Sequence, residues 1–150
     1  MNLPNIVLPA TGNKNIDLST LKNQPVILYF YPKDDTPGCT QEGQDFKAHF
    51  STFQHLGAII LGVSRDSVKK HEAFKEKYAF PFDLLSDSKE ELCNYFGVMK
   101  TKIMFGKPAR GIDRSTFLFD NKGVLVQEWR GIKKIEQHVE EVLTVLKSLT

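Results

Sequence analysis

Two short stretches of almost unbroken apolar sequence, Pro25 to Tyr31 (PVILYFY) and Ala58 to Ser64 (AIILGVS), limit what this chain can become. A strand that alternates apolar and polar residues can lie on a surface. A run that is apolar at nearly every position must be covered on both faces, as parallel strands inside an α/β fold are. Phe82 to Leu85 is a shorter third run. Between the runs, apolar residues recur at helical spacing: Phe46, Phe50 and Phe53 at i, i+4 and i+7, then Phe74 and Tyr78 within Ser67 to Tyr78. The alternation of strand and helix predicts right-handed crossover units.

Later the pattern changes. Thr116 to Phe119 and Val124 to Trp129 flank Asp120-Asn121-Lys122-Gly123, a polar turn with glycine where a positive φ is needed, which predicts a hairpin. Ile132, Ile135, Val139, Val142, Leu143, Leu146 and Leu149 form a broad helical stripe suited to covering one face of a sheet. Ile6-Val7-Leu8 and Ile16-Asp17-Leu18 around Thr11-Gly12-Asn13 suggest a further, N-terminal hairpin. The sum is a mixed sheet, parallel then antiparallel, with helices on both sides and one domain over residues 1–150.

At 150 residues the chain needs no staple, since a domain of this length buries about 70% of the surface its unfolded form exposes. The 20 basic and 18 acidic residues are interspersed, which speaks against a nucleic-acid-tracking stripe. The apolar runs fall far short of the roughly 20 residues that span a bilayer, and the N-terminus lacks both a basic and an apolar leader region. Two cysteines in a chain with a full core read as reduced thiols, and the compartment as cytoplasm.

Cys39 follows the first apolar run, in Tyr29-Phe30-Tyr31-Pro32-Lys33-Asp34-Asp35-Thr36-Pro37-Gly38-Cys39-Thr40. Thr36 suits an N-cap and Pro37 the first helical position, which puts Cys39 at N3, among amides without helical partners. Such amides favour an anion, and a thiol placed there tends to ionise. Free cysteine is often only a small buried hydrophobe, yet the sequence neighbours of Cys39 are Pro37-Gly38 and Thr40-Gln41-Glu42, so the reactive reading is preferred. Glu42, one turn on, would oppose a thiolate unless it points elsewhere. Positions three before and after Cys39 are Thr36 and Glu42, which excludes a Cys-x-x-Cys dithiol. The histidines that could serve a cysteine hydrolase, His49, His55, His71 and His138, all fall on helical segments, where surface or core-edge positions are expected.

The run Pro32-x-x-x-Thr36-x-x-Cys39 resembles the active-site signature of the peroxiredoxins. Thr36-Pro37-Gly38-Cys39-Thr40-x-Glu42 is similar to their bacterioferritin comigratory protein, or peroxiredoxin Q, branch, and the resemblance extends to Arg114-Ser115-Thr116-Phe117-Leu118. It implies a thioredoxin-like, three-layer α/β/α fold around a mixed central sheet, without cofactor or metal. It also implies reduction of hydrogen peroxide or organic hydroperoxides, with Cys39 as peroxidatic nucleophile. In that scheme the Thr36 hydroxyl holds the peroxide, the Arg114 guanidinium bonds both sulfur and oxygen, and Pro32 shields the pocket from water.

Acidity of the thiol does not suffice for such chemistry. Lowering a cysteine pKa from 8.5 to roughly 6 raises the thiolate fraction about thirtyfold at pH 7, but the accompanying loss of nucleophilicity returns about tenfold. Fixed donors must take up the charge that moves onto the peroxide oxygens.

Many members of this branch carry a resolving cysteine five residues after the first; here that position is Gln44. Cys93, in Lys89-Glu90-Glu91-Leu92-Cys93-Asn94-Tyr95-Phe96, is expected to be structural, sharing a face with Leu92 and Phe96. The alternative, Cys93 as resolving thiol, requires substantial movement, because a disulfide needs Cα atoms within about 7 Å. The expectation is a one-cysteine cycle in which glutathione, glutaredoxin or thioredoxin reduces the Cys39 sulfenic acid. Two rivals remain: a sensor or holdase of the same fold without turnover, and a disulfide-handling oxidoreductase. No apolar patch is expected to be left over, so a monomer is favoured, with a dimer as the alternative. Lys33, Asp34, Asp35 and Arg110 are expected as surface charge, and Trp129 as packing.

Overall fold

In a computed structural model, which describes residues 1–149, the two apolar runs are adjacent central strands. The strands of the main sheet are β1 (Val7–Ala10), β2 (Lys14–Asp17), β3 (Val26–Phe30), β4 (Ile59–Ser64), β5 (Asp83–Ser86), β8 (Ser115–Phe119) and β9 (Leu125–Trp129). Their order is β2-β1-β5-β4-β3-β8-β9, with β3, β4 and β5 parallel and the outer pairings antiparallel. Every residue of β3 is buried, as a strand covered on both faces must be. Its side chains alternate between two cores: Val26, Leu28 and Phe30 enter one, Ile27, Tyr29 and the following Tyr31 the other.

Helices α1 (Pro37–Ala48), α2 (Phe50–His55), α3 (Val68–Tyr78) and α5 (Ile135–Lys147) cover the second core with Phe46, Phe53, Phe74, Val139, Val142, Leu143 and Leu146. The Phe46, Phe50, Phe53 stripe breaks between α1 and α2 at His49, but Phe46 and Phe53 still meet at 5.9 Å between ring centroids. Gly43 lets α1 approach closely, because a Cβ there would stand 2.6 Å from the Phe80 ring. Ser67 caps α3 by accepting from the Lys70 amide, and α5 starts at Ile135, leaving Ile132 of the predicted stripe ahead of the helix. Both predicted hairpins form, with Gly123 at φ +77° in the second.

The first core is covered by α4 (Glu91–Phe96), which supplies Leu92, Cys93 and Phe96, together with Leu3, Leu8 and Leu18 from the N-terminal region. A separate two-stranded ribbon, β6 (Met99–Met104) and β7 (Lys107–Ile112), departs from the sequence reading. Ile103, Met104 and Phe105 at its tip are 72%, 54% and 100% exposed, so the expectation that no apolar patch is left over is corrected. Met-Lys-Thr-Lys-Ile-Met has no covered face, hence no alternation to betray a strand.

Candidate active site

The parallel strand β3 ends at Phe30, and the chain turns through residues 31–36 before α1 begins. The turn is tied down from beneath. The Tyr31 hydroxyl donates to Asp34 Oδ1 at 2.6 Å, Asp34 Oδ2 meets His71 Nδ1 at 2.7 Å, and His71 Nε2 meets the Leu85 carbonyl at 2.9 Å. The Asp34 amide also donates to Asp66 Oδ2 at 2.9 Å. Asp34 and His71, expected at the surface or core edge, are therefore buried, each satisfied by the other and by groups on neighbouring elements.

Thr36 takes the N-cap position with extended dihedrals, Pro37 follows at N1, and Cys39 stands at N3 as the sequence predicts. The Thr36 hydroxyl does not cap the helix; it donates to the Lys33 carbonyl at 2.8 Å, which leaves its lone pairs free to accept. Among the described residues no carbonyl accepts from the amides of Gly38 and Cys39. The helix end thus keeps its partial positive charge beside the sulfur.

Cys39 is only 2% exposed and packs in the core that contains Tyr29, Tyr31 and Phe46. Its polar neighbours in sequence suggested otherwise; the apolar cluster it joins draws Tyr29 from β3, Tyr31 from just beyond that strand and Phe46 from two turns further along α1. Among the described residues one polar side chain hydrogen-bonds it. Arg114, from the two-residue link between β7 and β8, directs Nη2 to Cys39 Sγ at 3.5 Å and donates from Nη1 to Glu42 Oε1 at 2.7 Å. The Arg114 side chain is itself largely covered, 13% exposed. Gly38 makes the approach feasible, since a Cβ there would lie 3.0 Å from Arg114 Nη2 and 3.1 Å from Ile135 Cδ1.

Glu42 turns to Arg114 rather than opposing a charge on the sulfur, and so belongs to the site as the anchor of the guanidinium. Burial pushes its carboxyl up to about 7, against the downward pull of the Arg114 charge and hydrogen bond. Its Oε2 is buried with no hydrogen-bond partner among the described residues. Burial also works against the Arg114 charge, but Glu42 and Cys39 outweigh it and hold that group above its ordinary value. His138 lies within the field of Arg114; burial, then that charge, push its imidazole down to about 4, so it is neutral at pH 7 while bonded to Thr116 Oγ1 at 2.7 Å. Trp129 packs against His138 in a T-shaped contact, as packing was expected of it.

Pro32 is exposed on the turn, Gln44 is exposed on α1, and Arg110 pairs with Glu90. Cys93 is wholly buried in the core on the opposite face of the sheet from Cys39. Its amide donates to Asp87 Oδ2 at 2.7 Å, and burial, then Asp87, push its thiol far above the ordinary range. Among the described residues no three His, Cys, Asp or Glu side chains are grouped to hold a metal ion.

The structure thus brings Cys39 and Arg114 together at the N-terminal end of α1 and adds Glu42 as the second partner of the guanidinium. Residues 1–128 match the AhpC/TSA family. The chain belongs to that family. Among its AhpC/TSA relatives, the peroxiredoxin Bcp of Bacillus subtilis is 46% identical over 147 residues, 98% of this chain and 93% of the relative. The putative peroxiredoxin bcp of Coxiella burnetii is 47% identical over 140 residues, 93% of this chain and 92% of the relative. A solved structure of Xanthomonas campestris peroxiredoxin Q matches with a TM-score of 0.92 and 46% identity, covering 99% of this chain and 96% of that one. The expected branch and the thioredoxin-like peroxiredoxin fold are both borne out.

Proposed function

We propose that this AhpC/TSA protein reduces hydrogen peroxide and organic hydroperoxides at Cys39, and that an external thiol resolves the oxidised sulfur. A solved structure of the X. campestris bacterioferritin comigratory protein, 45% identical, is described in terms of alkyl peroxide reduction. The observation that carries the reading is Arg114 spanning Glu42 and the Cys39 sulfur with separate nitrogens.

The Cys39 thiolate attacks the terminal oxygen of the peroxide. An S–O bond forms, the O–O bond breaks, and hydroxide or alkoxide leaves and takes a proton. Negative charge moves from sulfur to the departing oxygen, and Arg114 Nη2 with the unpartnered amides of Gly38 and Cys39 are donors already in place to follow it. Thr36, its own O–H donating to the Lys33 carbonyl, accepts from the peroxide O–H. Pro32 forms the outer wall of the turn. Glu42 fixes Arg114 in this pose.

Resolution falls to a second molecule because Cys93 faces the other core and Gln44 stands where a resolving cysteine would be. Cys39 is too covered for a bulky thiol to reach, so the first turn of α1, which lacks a side-chain cap, gives way for reduction. Glutathione, glutaredoxin or thioredoxin supplies the electrons. Two unpaired thiols fit a reducing cytoplasm, and no helix among the described residues is long and apolar enough to cross a membrane.

Steady-state peroxide turnover by Cys39→Ser and Cys93→Ser tests the reading, with each of the three reductants and with circular dichroism to confirm folding. Turnover is expected to vanish in the first variant and persist in the second. Collapse of Cys93→Ser with every reductant would make Cys93 the resolver. Intact mass after one equivalent of peroxide separates sulfenate from disulfide directly. Persistent turnover in Cys39→Ser would remove Cys39 as the nucleophile, and no turnover in the native chain would leave a sensor or binding role instead.

A further inference from the structure

Thr36 presents its lone pairs to a peroxide only while its hydroxyl points at the Lys33 carbonyl, 2.8 Å away. That bond closes the turn Lys33-Asp34-Asp35-Thr36, in which Asp35 takes φ +57°, in the left-handed region. The Thr36 side chain makes no capping bond to α1, so the helix does not set the hydroxyl's direction.

Both inner residues of the turn are held instead by one face of α3. His71 Nδ1 meets Asp34 Oδ2 at 2.7 Å, and two helical turns further on Lys77 and Tyr78 donate to the two oxygens of Asp35 at 2.8 and 2.9 Å. The two grips differ in weight. Lys77 and Asp35 are exposed, and an exposed ion pair contributes little. The pair of Asp34 with His71 is out of water, where losing one partner leaves the other buried and unmet.

His71 is itself fixed. The Leu85 carbonyl can only accept, so Nε2 donates to it at 2.9 Å and ties the ring to β5, while a second proton lies between Nδ1 and Asp34 Oδ2. Asp34 gives its other oxygen to the Tyr31 hydroxyl at 2.6 Å. Its amide donates to Asp66 Oδ2, which also accepts from Ser64 Oγ at 2.6 Å. That amide and the Lys33 carbonyl belong to one planar peptide unit. The side chain and the amide of Asp34 therefore fix, from two directions, the carbonyl that Thr36 points to.

We infer that His71 is a positioning residue for peroxide reduction: through Asp34 it sets the peptide plane between Lys33 and Asp34, and that plane aims the Thr36 hydroxyl. The inference rests on the reading that Cys39 reduces peroxide, and it gives a buried histidine of α3 a part in that step.

The test is stopped-flow oxidation of Cys39 by hydrogen peroxide, with reduction of the sulfenic acid by dithiothreitol followed separately. It compares the native chain with His71→Leu, His71→Asn, Tyr31→Phe, Thr36→Val and His71→Leu/Thr36→Val. His71→Leu is expected to slow oxidation about tenfold, because a small misplacement of a group that orients the substrate is costly. His71→Asn, whose amide can still donate to Asp34, should win back about threefold of that loss. Reduction by dithiothreitol should be no slower than in the native chain, since that half-reaction does not use Thr36. Without the Thr36 hydroxyl His71 has nothing to aim, so the double variant should oxidise no more slowly than Thr36→Val alone. Tyr31→Phe deletes one hydroxyl and leaves the core filled; the same cycle run with it decides the matter should His71→Leu not fold. Oxidation within about twofold of the native rate in His71→Leu and Tyr31→Phe overturns the inference. So do losses that multiply in the double variant, or equal slowing of both half-reactions, which would leave His71 a purely structural part. A native chain whose Cys39 is not oxidised at all would take the peroxidase reading down as well, whereas equal rates in the native chain and the variants remove His71 alone.

Discussion

Glu42 and Arg114 meet at 2.7 Å with the carboxylate wholly covered, so the ion pair sits where solvent cannot share its charge. Folding raises the Glu42 pKa from an ordinary 4.5 to about 7, chiefly by burial. The folded state therefore holds this proton more tightly, and the group's contribution to stability is full below pH 4.5 and lost as pH rises through about 7. The difference amounts to about 3 kcal/mol. Glu42→Gln, which keeps an oxygen for Arg114, is expected to remove that loss, so that urea unfolding of the native chain and the variant diverges steadily from pH 4.5 to 8 in the variant's favour. Parallel curves would contradict it.

His138 acts in the opposite sense. Burial, then Arg114, lower its pKa from 6.5 to about 4, so its contribution is present above pH 6.5 and lost as pH falls through about 4, again by up to about 3 kcal/mol. Between about pH 4.5 and 6.5 the two groups offset one another. Unfolding free energy of Glu42→Gln should thus drop more steeply on acidification than that of the native chain, and His138→Gln should flatten the drop.

Replacing Arg114 by Lys keeps the charge but not the fork. One guanidinium nitrogen bonds Glu42 and the other faces the sulfur, a pair of directions that a single ammonium cannot serve at once. The expected result is a fall in kcat/KM for peroxide of about 10²-fold to 10³-fold with an unchanged fold by circular dichroism. A loss under threefold would remove Arg114 from the charge-stabilising role.

Gly38 gives a finer probe. A methyl at this position would press on Arg114 Nη2 at 3.0 Å and Ile135 Cδ1 at 3.1 Å, both side-chain ends that can shift by tenths of an ångström. Gly38→Ala should therefore leave the melting temperature within a few degrees while lowering kcat/KM by about tenfold, because a small misplacement of a catalytic donor is costly. Stopped-flow oxidation of Cys39 measures it directly.

The parts of the fold that repeat with a period were legible in the sequence. Val26 to Phe30 and Ile59 to Ser64 announce themselves by unbroken apolarity, α3 by the spacing of Phe74 and Tyr78, and the β8–β9 hairpin by Gly123. The β6–β7 arm was hidden because neither of its faces is covered. Within the site, Thr36, Pro37 and Cys39 could be placed at the helix end, since capping is local chemistry. Glu42 was visible, but its direction depends on an arginine arriving from far along the chain, and no local rule encodes that meeting. The same holds for Asp34 and His71, whose burial needs a partner on another element. That Cys39 and Cys93 enter different cores follows only once the sheet is assembled.

The sheet acts as a wall between those two sulfurs. On the one-cysteine reading, a freshly oxidised Cys39 has no refuge inside its own molecule. Its fate is a race between an arriving thiol and another peroxide, which would carry it on to sulfinic acid and permanent silence. Such a chain ties its working life to the reducing wealth of its surroundings, falling quiet first where donors run short.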